Sequence, residues 1–326
     1  MRYIDEFRNK VLINKVLKEI KRILSDQKIN IMEVCGTHTQ SFFRFGLNRL
    51  LPSQLRLISG PGCPVCVSPQ DYIDKAIKLS QDKENIILTF GDMLAVPGRI
   101  SSLQEQKAKH GNVSIVYSCW EALKVAKNNP KRKIVFLAVG FETTAPAVAL
   151  TILEAKKLRL KNLFFYSGLK LIPPAIEYLL EDKRLTIDGF LCPGHVSTII
   201  GTKPYEFIPK KYNKACCIAG FEPLDILEGI YLLIKQIITK KPRVANQYRR
   251  VVRVNGNPKA KGMILKVFKI VDADWRGLGR IPKSGLRIRS SFCCFDAEKE
   301  FGLSRLVFKD YSFKKTRPLK EISPQC

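Results

Sequence analysis

Apolar residues in the first thirty positions recur every three or four residues, and charged residues fill many of the positions between them. Such spacing places the apolar side chains along one face of a helix. The residues that share this face are Ile4, Phe7, Val11, Val16, Leu17, Ile20 and Leu24. The pattern predicts an amphipathic helix within residues 1–30 that packs its apolar face against the rest of the protein.

From Ile31 to about Lys240 the pattern changes to short apolar runs rich in β-branched residues, each followed by a loop and then by a helical segment. The apolar runs that predict strands are 31–34, 86–90, 133–140, 163–166, 187–191 and 215–218. Strands that alternate with helices predict an α/β fold with parallel sheets covered on both faces. In such folds the loops at the carboxyl ends of the strands bind ligands.

The α/β pattern is long enough for two units, and we expect two parallel-sheet lobes, residues 31–125 and 126–240, around a cleft. After Lys240 the sequence becomes basic, strand-biased and rich in glycine. This change predicts a smaller and less regular C-terminal domain, residues 241–326.

The formal net charge of +27 is the strongest feature of the composition and raises nucleic acid as a partner. Residues 240–326 hold 22 Lys and Arg against 7 Asp and Glu. These basic residues are scattered among strand-like runs, without the pattern of a homeodomain, an RNA-recognition motif or a zinc finger. The sequence therefore favours a solvated basic surface, or one that docks an acidic protein, over specific binding of nucleic acid.

No segment has the features of a signal peptide or a membrane span. Charged residues interrupt the apolar positions of the first thirty residues, and no later stretch approaches the roughly 18 uncharged apolar residues that a span requires. We therefore expect a cytoplasmic protein. Its ten cysteines then fit thiols, metal ligands or redox groups better than a disulfide framework, because the cytosol keeps thiols reduced.

The first candidate site is Cys35-Gly-Thr-His38, which follows the apolar run at 31–34. A thiolate and an imidazole three residues apart can share a metal ion or shift each other's protonation. A buried thiol and a hydrogen-bonded histidine beside a turn would give the same pattern.

The second candidate site is Cys63-Pro-Val-Cys66, a C-x-x-C pair whose sulfurs can form a disulfide or bind one metal ion. Ser68 and Pro69 predict the start of a helix just after Cys66, with Ser68 as its N-cap. The positive end of that helix would lower a thiol pKa. A structural zinc site would need two more Cys or His ligands at suitable spacing, and the chain has no second C-x-x-C. A redox pair is therefore favoured over zinc.

Two further loops carry candidate polar groups. Cys192-Pro-Gly-His195 places a second histidine at a strand end, in a chain that has only three histidines. Gly140-Phe-Glu142-Thr-Thr places a carboxylate at a helix start, where it could bind an anion or face a metal ligand. Capping of the helix that follows would explain either loop without a catalytic role. Asp92, after the run at 86–90, has the same ambiguity.

Five multi-residue motifs, taken together and in order, resemble the HypD family of NiFe-hydrogenase maturation proteins. They are Cys35-Gly-Thr-His38, Gly60-Pro-Gly-Cys63-Pro-Val-Cys66, Gly140-Phe-Glu-Thr-Thr144, Cys192-Pro-Gly-His195-Val and Trp275-Arg-Gly-Leu-Gly-Arg-Ile-Pro-Lys-Ser-Gly285. The match runs from about residue 31 to the C-terminus.

The resemblance implies a scaffold on which one iron ion receives two cyanides and one carbon monoxide before delivery to the hydrogenase large subunit. It implies that Cys35 is the iron ligand, shared with a cysteine of a HypC-type small chaperone, and that a HypE-type partner donates cyanide. It also implies that Cys63 and Cys66 are the dithiol that exchanges electrons. The residues that it places around the same cleft are His38, Glu142 and His195. The residues by themselves leave open a cytosolic thiol–disulfide oxidoreductase that uses the C-x-x-C pair on protein substrates.

The sequence departs from the family pattern in two respects. Gln40 stands where the family usually has a second histidine. The family also ends in a segment whose four cysteines ligate a 4Fe–4S cluster, and Ile322-Ser-Pro-Gln-Cys326 matches the approach to the first of those ligands. Because Cys326 is the last residue given, we expect this segment to be incomplete and the chain in this form not to hold the cluster.

Overall fold

The structure is a computed structural model that describes residues 5–306. The strands in this range are β1 (Ile29–Glu33), β2 (Leu55–Ser59), β3 (Asn85–Thr89), β4 (Val113–Ile115), β5 (Lys133–Gly140), β6 (Leu163–Leu169), β7 (Gly189–Pro193), β8 (Ala215–Ala219), β9 (Val244–Asn246), β10 (Phe268–Trp275) and β11 (Gly279–Ile288). The α-helices are α1 (Lys10–Leu24), α2 (Gly36–Arg44), α3 (Leu47–Leu50), α4 (Gln70–Ser80), α5 (Leu103–His110), α6 (Glu121–Asn128), α7 (Ala145–Lys157), α8 (Ile172–Glu181), α9 (Gly194–Ile200), α10 (Phe207–Tyr212), α11 (Pro223–Ile238), α12 (Pro258–Val267) and α13 (Ala297–Glu300). Short 3-10 helices span Asp5–Arg8, Gly91–Met93, Lys203–Tyr205, Ser290–Phe295 and Leu303–Arg305. None of the helices between residues 5 and 306 is long and apolar enough to cross a membrane.

Both larger sheets are parallel, and the predicted α/β class is confirmed. The first sheet has the strand order β2-β1-β7-β8-β9, and the second has the order β4-β3-β5-β6. The central strands β7 and β8 are buried along their whole length, as strands covered by helices on both faces must be. The third sheet is the antiparallel hairpin β10–β11.

The two parallel sheets do not follow the predicted boundary at residue 125. The first sheet joins β1 and β2 to β7, β8 and β9, with Ile31 opposite Gly189. The second sheet is built from β3 to β6, which lie on both sides of that boundary. The pattern of apolar runs shows where strands occur but not which strands pair. The chain in fact leaves the first sheet after β2 and returns to it at β7.

Helix α1 is an amphipathic helix within residues 1–30. Asn9 caps it, because its side chain accepts hydrogen bonds from two amides of the first turn at 2.9 and 3.2 Å. Leu17, Ile20 and Leu24 are buried in one cluster with residues of α11 and of the first sheet. The C-terminal half of the predicted apolar face therefore covers one side of that sheet, whereas Val11, which was predicted on the same face, is 75% exposed.

The C-terminal hairpin packs against both sheets. Phe268 and Leu286 are buried in the same cluster as Phe136 of the second sheet. Trp275, at the end of β10, is buried in the cluster beside the first sheet and stacks on Phe141 with ring centroids 6.0 Å apart. The basic C-terminal region therefore contributes to the cores of both lobes.

The chain crosses from the first sheet to the second through residues 60–69. Strand β2 belongs to the first sheet, whereas α4 packs on the second sheet, where Tyr72 stacks on Tyr166 at 4.3 Å. Pro69 is the N-cap residue of α4, and the predicted cap, Ser68, instead donates its hydroxyl hydrogen bond to the carbonyl of Pro64 at 2.9 Å. The C-x-x-C segment therefore lies where the two lobes meet.

Candidate functional site

Cys35 lies at the carboxyl end of β1 and is the N-cap residue of α2. The His38 amide donates a hydrogen bond to the Cys35 carbonyl at 2.8 Å, and the amides of His38 and Thr37 together with the Thr37 hydroxyl lower the pKa of the thiol. Amides at the start of a helix favour a thiolate. Burial of the side chain outweighs them and raises the pKa of Cys35. The thiol therefore lies beside groups that favour its thiolate but keeps its proton at neutral pH.

Glu33 is a buried carboxylate that the sequence analysis did not single out, and it anchors the turn at Cys35. Its Oε2 accepts a hydrogen bond from the Cys35 amide at 2.9 Å, and its Oε1 accepts one from the Thr39 hydroxyl. Only 2% of Glu33 is exposed, and burial raises its pKa. The sequence feature that could have identified Glu33 is an acidic residue inside an apolar run, because a carboxylate in a buried strand requires hydrogen-bond partners.

The C-x-x-C loop packs directly on Cys35 through Gly62. The amide of Gly36 donates a hydrogen bond to the Gly62 carbonyl at 2.9 Å. A Cβ atom on Gly62 would lie 2.3 Å from the backbone nitrogen of Cys35, so this approach requires glycine. A Cβ atom on Gly36 would lie 3.8 Å from the Cβ of Cys63. The two predicted cysteine sites are therefore neighbours in space.

Cys63 and Cys66 form a hydrogen-bonded thiol pair. The Cys66 thiol donates to the Cys63 sulfur at 2.8 Å, and the Cys66 amide donates to the same sulfur at 3.3 Å. The bond from the Cys66 thiol is the main reason that the pKa of Cys63 falls to about 6, while partial burial and the Asp92 carboxylate act in the opposite direction. Cys66 is exposed and Cys63 is partly buried. The pair can therefore hold one negative charge near neutral pH.

His195 stacks on Phe221 with ring centroids 3.9 Å apart, and the ring of His38 packs at a tilt against the same Phe221 at 4.8 Å. His38 is fully buried, and its Nε2 donates a hydrogen bond to the Gly220 carbonyl at 2.9 Å. Its Nδ1 is buried without a hydrogen-bond partner among residues 5–306. Burial lowers the pKa of His38 to about 4 and also lowers the pKa of His195. Both imidazoles are therefore neutral at pH 7, and Nδ1 of His38 is an acceptor.

A buried ion pair holds the loop after β8 in place. Arg250 donates to both carboxylate oxygens of Asp225, at 2.7 and 2.5 Å, and no part of Asp225 is exposed. Gln247 donates to Asp225 at 2.8 Å and accepts a hydrogen bond from the Gly220 amide at 3.2 Å. This chain of contacts fixes Gly220, whose carbonyl orients His38.

Glu142 lies after β5 of the second sheet and caps helix α8 rather than the helix that follows it in sequence. Its Oε1 accepts a hydrogen bond from the amide of Ile172, the first residue of α8, at 3.0 Å. Its Oε2 has no hydrogen-bond partner in the described part of the chain, and burial raises its pKa to about 7. The adjacent Phe141 packs in one cluster with Val34 and Val67, which flank the two cysteine motifs. Glu142 is thus linked to the cysteine sites through its neighbour.

The candidate residues of the first sheet line its carboxyl edge in strand order. Cys63 follows β2, Cys35 follows β1, His195 follows β7 and Phe221 follows β8. Among residues 5–306 no group of three or more His, Cys, Asp or Glu is arranged to hold a metal ion. A metal ion bound at Cys35 would therefore need ligands from outside this part of the chain. Cys326 lies outside the described residues.

Comparison with known proteins gives a consistent result over nearly the whole chain. The family model HypD, described as the hydrogenase formation hypA family, matches residues 11–317. The hydrogenase maturation factor HypD2 of Bradyrhizobium diazoefficiens is 42% identical over 319 residues, which cover 95% of this chain and 84% of that protein. The hydrogenase maturation factors HypD of Escherichia coli and Cupriavidus necator are 43% and 42% identical, over 92% and 93% of this chain and 83% and 82% of their own lengths.

Proposed function

The chain belongs to the HypD family of hydrogenase maturation factors, and on this premise we propose that it is the scaffold on which the iron-dicyanide-carbonyl centre of NiFe hydrogenase is assembled. Iron is the cargo in this proposal. The scaffold holds it while two cyanides and one carbon monoxide are added, and then passes it to the hydrogenase large subunit. Cys35 binds the iron, and the dithiol of Cys63 and Cys66 exchanges electrons.

One contact carries the proposal, the packing of Gly62 against the backbone of Cys35. It leaves the side chain of Cys63 next to the turn that holds Cys35. A soft thiolate suits low-spin iron that carries strong-field ligands. A neighbouring dithiol can supply two electrons as its sulfurs join in a disulfide, and the singly ionised pair releases one proton in that step. The contact therefore brings a candidate iron ligand and a candidate electron source together.

The surroundings of Cys35 suit a thiolate that forms when a metal ion displaces the proton. Burial raises the pKa of the thiol, yet two nearby backbone amides and one hydroxyl act in the opposite direction and favour the thiolate. A metal ion would replace the proton as the partner of that sulfur. Iron capture at Cys35 should therefore release a proton and become stronger as the pH rises.

A single thiolate from this chain leaves the iron short of protein ligands, because no three-ligand group occurs within residues 5–306. We propose that a HypC-type small chaperone supplies a second cysteine and that a HypE-type partner donates the cyanide. The family's 4Fe–4S cluster needs four cysteines, and residues 5–306 contain no arrangement that fits it. No step of the proposal passes through that cluster.

Anaerobic copurification with the small chaperone tests the iron assignment. The complex should carry about one iron ion and show infrared bands of iron-bound cyanide and carbonyl. Cys35→Ala should lower the bound iron about tenfold or more and remove the bands, because it removes this chain's own ligand. Elemental analysis and infrared spectroscopy measure the two quantities.

Cys119→Ala is the matched control. Cys119 is 3% exposed against 8% for Cys35, but it lies in the core beside the second sheet, where its sulfur is 3.2 Å from the Thr151 hydroxyl. This variant should keep its iron and both sets of bands. Full retention of the bands by a folded Cys35→Ala protein would refute Cys35 as the iron ligand.

The lowered pKa of Cys63 and the exposure of Cys66 favour a second candidate function, a thiol–disulfide oxidoreductase that acts on proteins. This function predicts that the iron-free chain reduces a disulfide substrate such as insulin in repeated turnovers, whereas a scaffold should show little such activity. Efficient turnover that Cys63→Ser abolishes, in a chain that captures no iron, would favour the oxidoreductase.

A further inference from the structure

The turn of the β10–β11 hairpin rests on the C-x-x-C segment. The backbone amide of Arg276 donates a hydrogen bond to the carbonyl of Val67, the residue after the thiol pair, at 2.9 Å. Gly277 has a φ of +80°, a left-handed conformation that glycine adopts without strain, so the turn is tight. Trp275, just before the turn, is buried and donates from its indole to Ser284 at 2.8 Å. The turn is therefore anchored in the core on one side and contacts the dithiol segment on the other.

The side chain of Arg276 ties the dithiol segment to the loop after β3. Its Nε donates to the carbonyl of Ser68 at 2.9 Å, and its Nη2 donates to the carbonyl of Pro97 at 3.2 Å. Both of these partners are uncharged, so these two bonds do not neutralise the guanidinium. Asp74 also attracts Arg276, but that carboxylate is ion-paired with Arg99.

The positive charge of Arg276 acts on the thiol pair. Arg276 and Cys66 attract each other electrostatically, whereas the Asp92 carboxylate opposes the ionisation of Cys63. The two sulfurs share a hydrogen bond at 2.8 Å, so a cation beside either sulfur stabilises the singly ionised pair. Burial lowers the pKa of Arg276, but a guanidinium keeps its charge at neutral pH.

We propose that Arg276 is a positioning residue for the dithiol: it holds the end of the Cys63–Cys66 segment against the Pro97 loop and balances the negative charge of the pair. This inference rests on the proposed redox role of the dithiol. It requires neither bound iron nor a partner protein, so it can be tested apart from iron capture.

Alkylation of the reduced, iron-free full chain tests the proposal. The rate at which the Cys63–Cys66 peptide reacts with iodoacetamide, followed against pH by mass spectrometry, reports the thiolate fraction. Arg276→Gln should move the midpoint of this profile upward and slow the reaction at pH 5 about three- to ninefold, because loss of a neighbouring cation raises a thiol pKa by about half a unit to one unit. Arg276→Lys keeps the positive charge but lacks the planar guanidinium group that donates to two carbonyls at once. It should therefore recover part of the wild-type rate.

Arg280→Gln is the matched control, because Arg280 lies on the same hairpin, is exposed and faces Asp272 at 3.8 Å. It should react like the wild type, and the exposed Cys293 serves as an internal reference in every sample. An Arg276→Gln profile that coincides with those of the wild type and Arg280→Gln would overturn the proposal.

Asp92→Asn keeps the proposal testable if Arg276→Gln does not fold. Removal of this opposing carboxylate should move the midpoint downward and speed the reaction at pH 5.5. An unchanged midpoint would overturn the charge-balance part of the proposal. Because neither readout involves iron, loss of this inference would leave the Cys35 experiment unaffected, and failure of iron capture would leave these profiles unaffected.

Discussion

The candidate site has an inner part and an outer part, and their surroundings shift ionisation in opposite ways. The inner part consists of Cys35, Glu33, His38 and Glu142. Burial suppresses the charged form of each inner group: it raises the pKa of the thiol and of both carboxyls and lowers the pKa of the imidazole. The outer part is the pair Cys63 and Cys66, where a hydrogen bond lowers the pKa of Cys63 to about 6. The two parts meet at Gly62.

Surroundings alone can therefore give neighbouring thiols different chemistry. The outer pair is ionised and reactive at neutral pH. The inner thiol keeps its proton until a metal ion displaces it. Such a division would let the site exchange electrons through one pair of sulfurs without oxidising the sulfur that holds the cargo.

The largest expected effect comes from the opposite pKa shifts of His38 and Glu142. The lowered pKa of His38 reduces stability as the pH falls from about 6.5 to about 4, because the unfolded chain then binds the proton more readily. The raised pKa of Glu142 reduces stability as the pH rises from about 4.5 to about 7, because the unfolded chain then releases the proton more readily. Each effect amounts to about 3 kcal/mol over its window. The two largely cancel in the wild type.

Single variants should reveal how each residue makes the free energy of unfolding depend on pH. In His38→Gln the free energy of unfolding should fall by about 3 kcal/mol from pH 4.5 to 7, and in Glu142→Gln it should rise by a similar amount from pH 4 to 6.5. Urea denaturation at stepped pH measures both profiles. The double variant is the control, and its slope should return to that of the wild type. Single variants whose profiles run parallel to the wild type would contradict the burial effects assigned to the inner part.

The next effect is the difference in reactivity between the inner and outer thiols at pH 7. Cys63 is mostly thiolate, whereas Cys35 is mostly protonated and only 8% exposed. The Cys63–Cys66 peptide should react with iodoacetamide about 10 to 100 times faster than the Cys35 peptide. Peptide-level mass spectrometry of the native chain measures both rates, and in concentrated urea the rates should converge. Equal rates in the native chain would remove the distinction between the two parts.

Gly62→Ala should damage the contact that joins the two parts. The added methyl group would lie 2.3 Å from the backbone nitrogen of Cys35, so the loops must separate, and we expect the free energy of unfolding to fall by about 2 kcal/mol. Alkylation of Cys35 should become faster at the same time. Gly262→Ala is the control, since nothing lies within 4 Å of a Cβ there and alanine favours helix α12. Equal stability of the two variants would mean that the loops are not tightly packed.

The sequence predicted the fold class and the edge of the first sheet where the site lies, because both depend on local patterns. Cys35 and His195 each follow a predicted apolar run, and parallel strands bring such loops to one edge. The strand before Cys63, β2, was not among the predicted runs. The pairing of the strands is not local. The chain leaves the first sheet after β2 and returns at β7, and no residue near position 125 signals this.

Contacts between distant parts of the chain explain the rest of what the sequence did not predict. Arg276 lies in one of the five motifs, but its bond to Ser68 joins residues 208 positions apart. Glu142 was predicted beside the helix that follows it, yet its hydrogen bond reaches Ile172, 30 positions further on. In both cases the sequence showed the charged residue itself, whereas its hydrogen-bond partner depends on the tertiary fold.

The smallest expected effect is at Gln40, where the family resemblance leads us to expect a histidine. Helix α2 exposes Gln40, whereas His38, two residues earlier, is fully buried, as expected for residues that point to different sides of a helix. Gln40→His should change the free energy of unfolding by less than about 0.5 kcal/mol and leave the alkylation rate of Cys35 unchanged. Denaturation and peptide-level alkylation measure both. A changed Cys35 rate, or more iron captured with the small chaperone, would mean that an imidazole on the exposed face of α2 reaches the thiol from the solvent side. The inner part of the site would then extend to the protein surface.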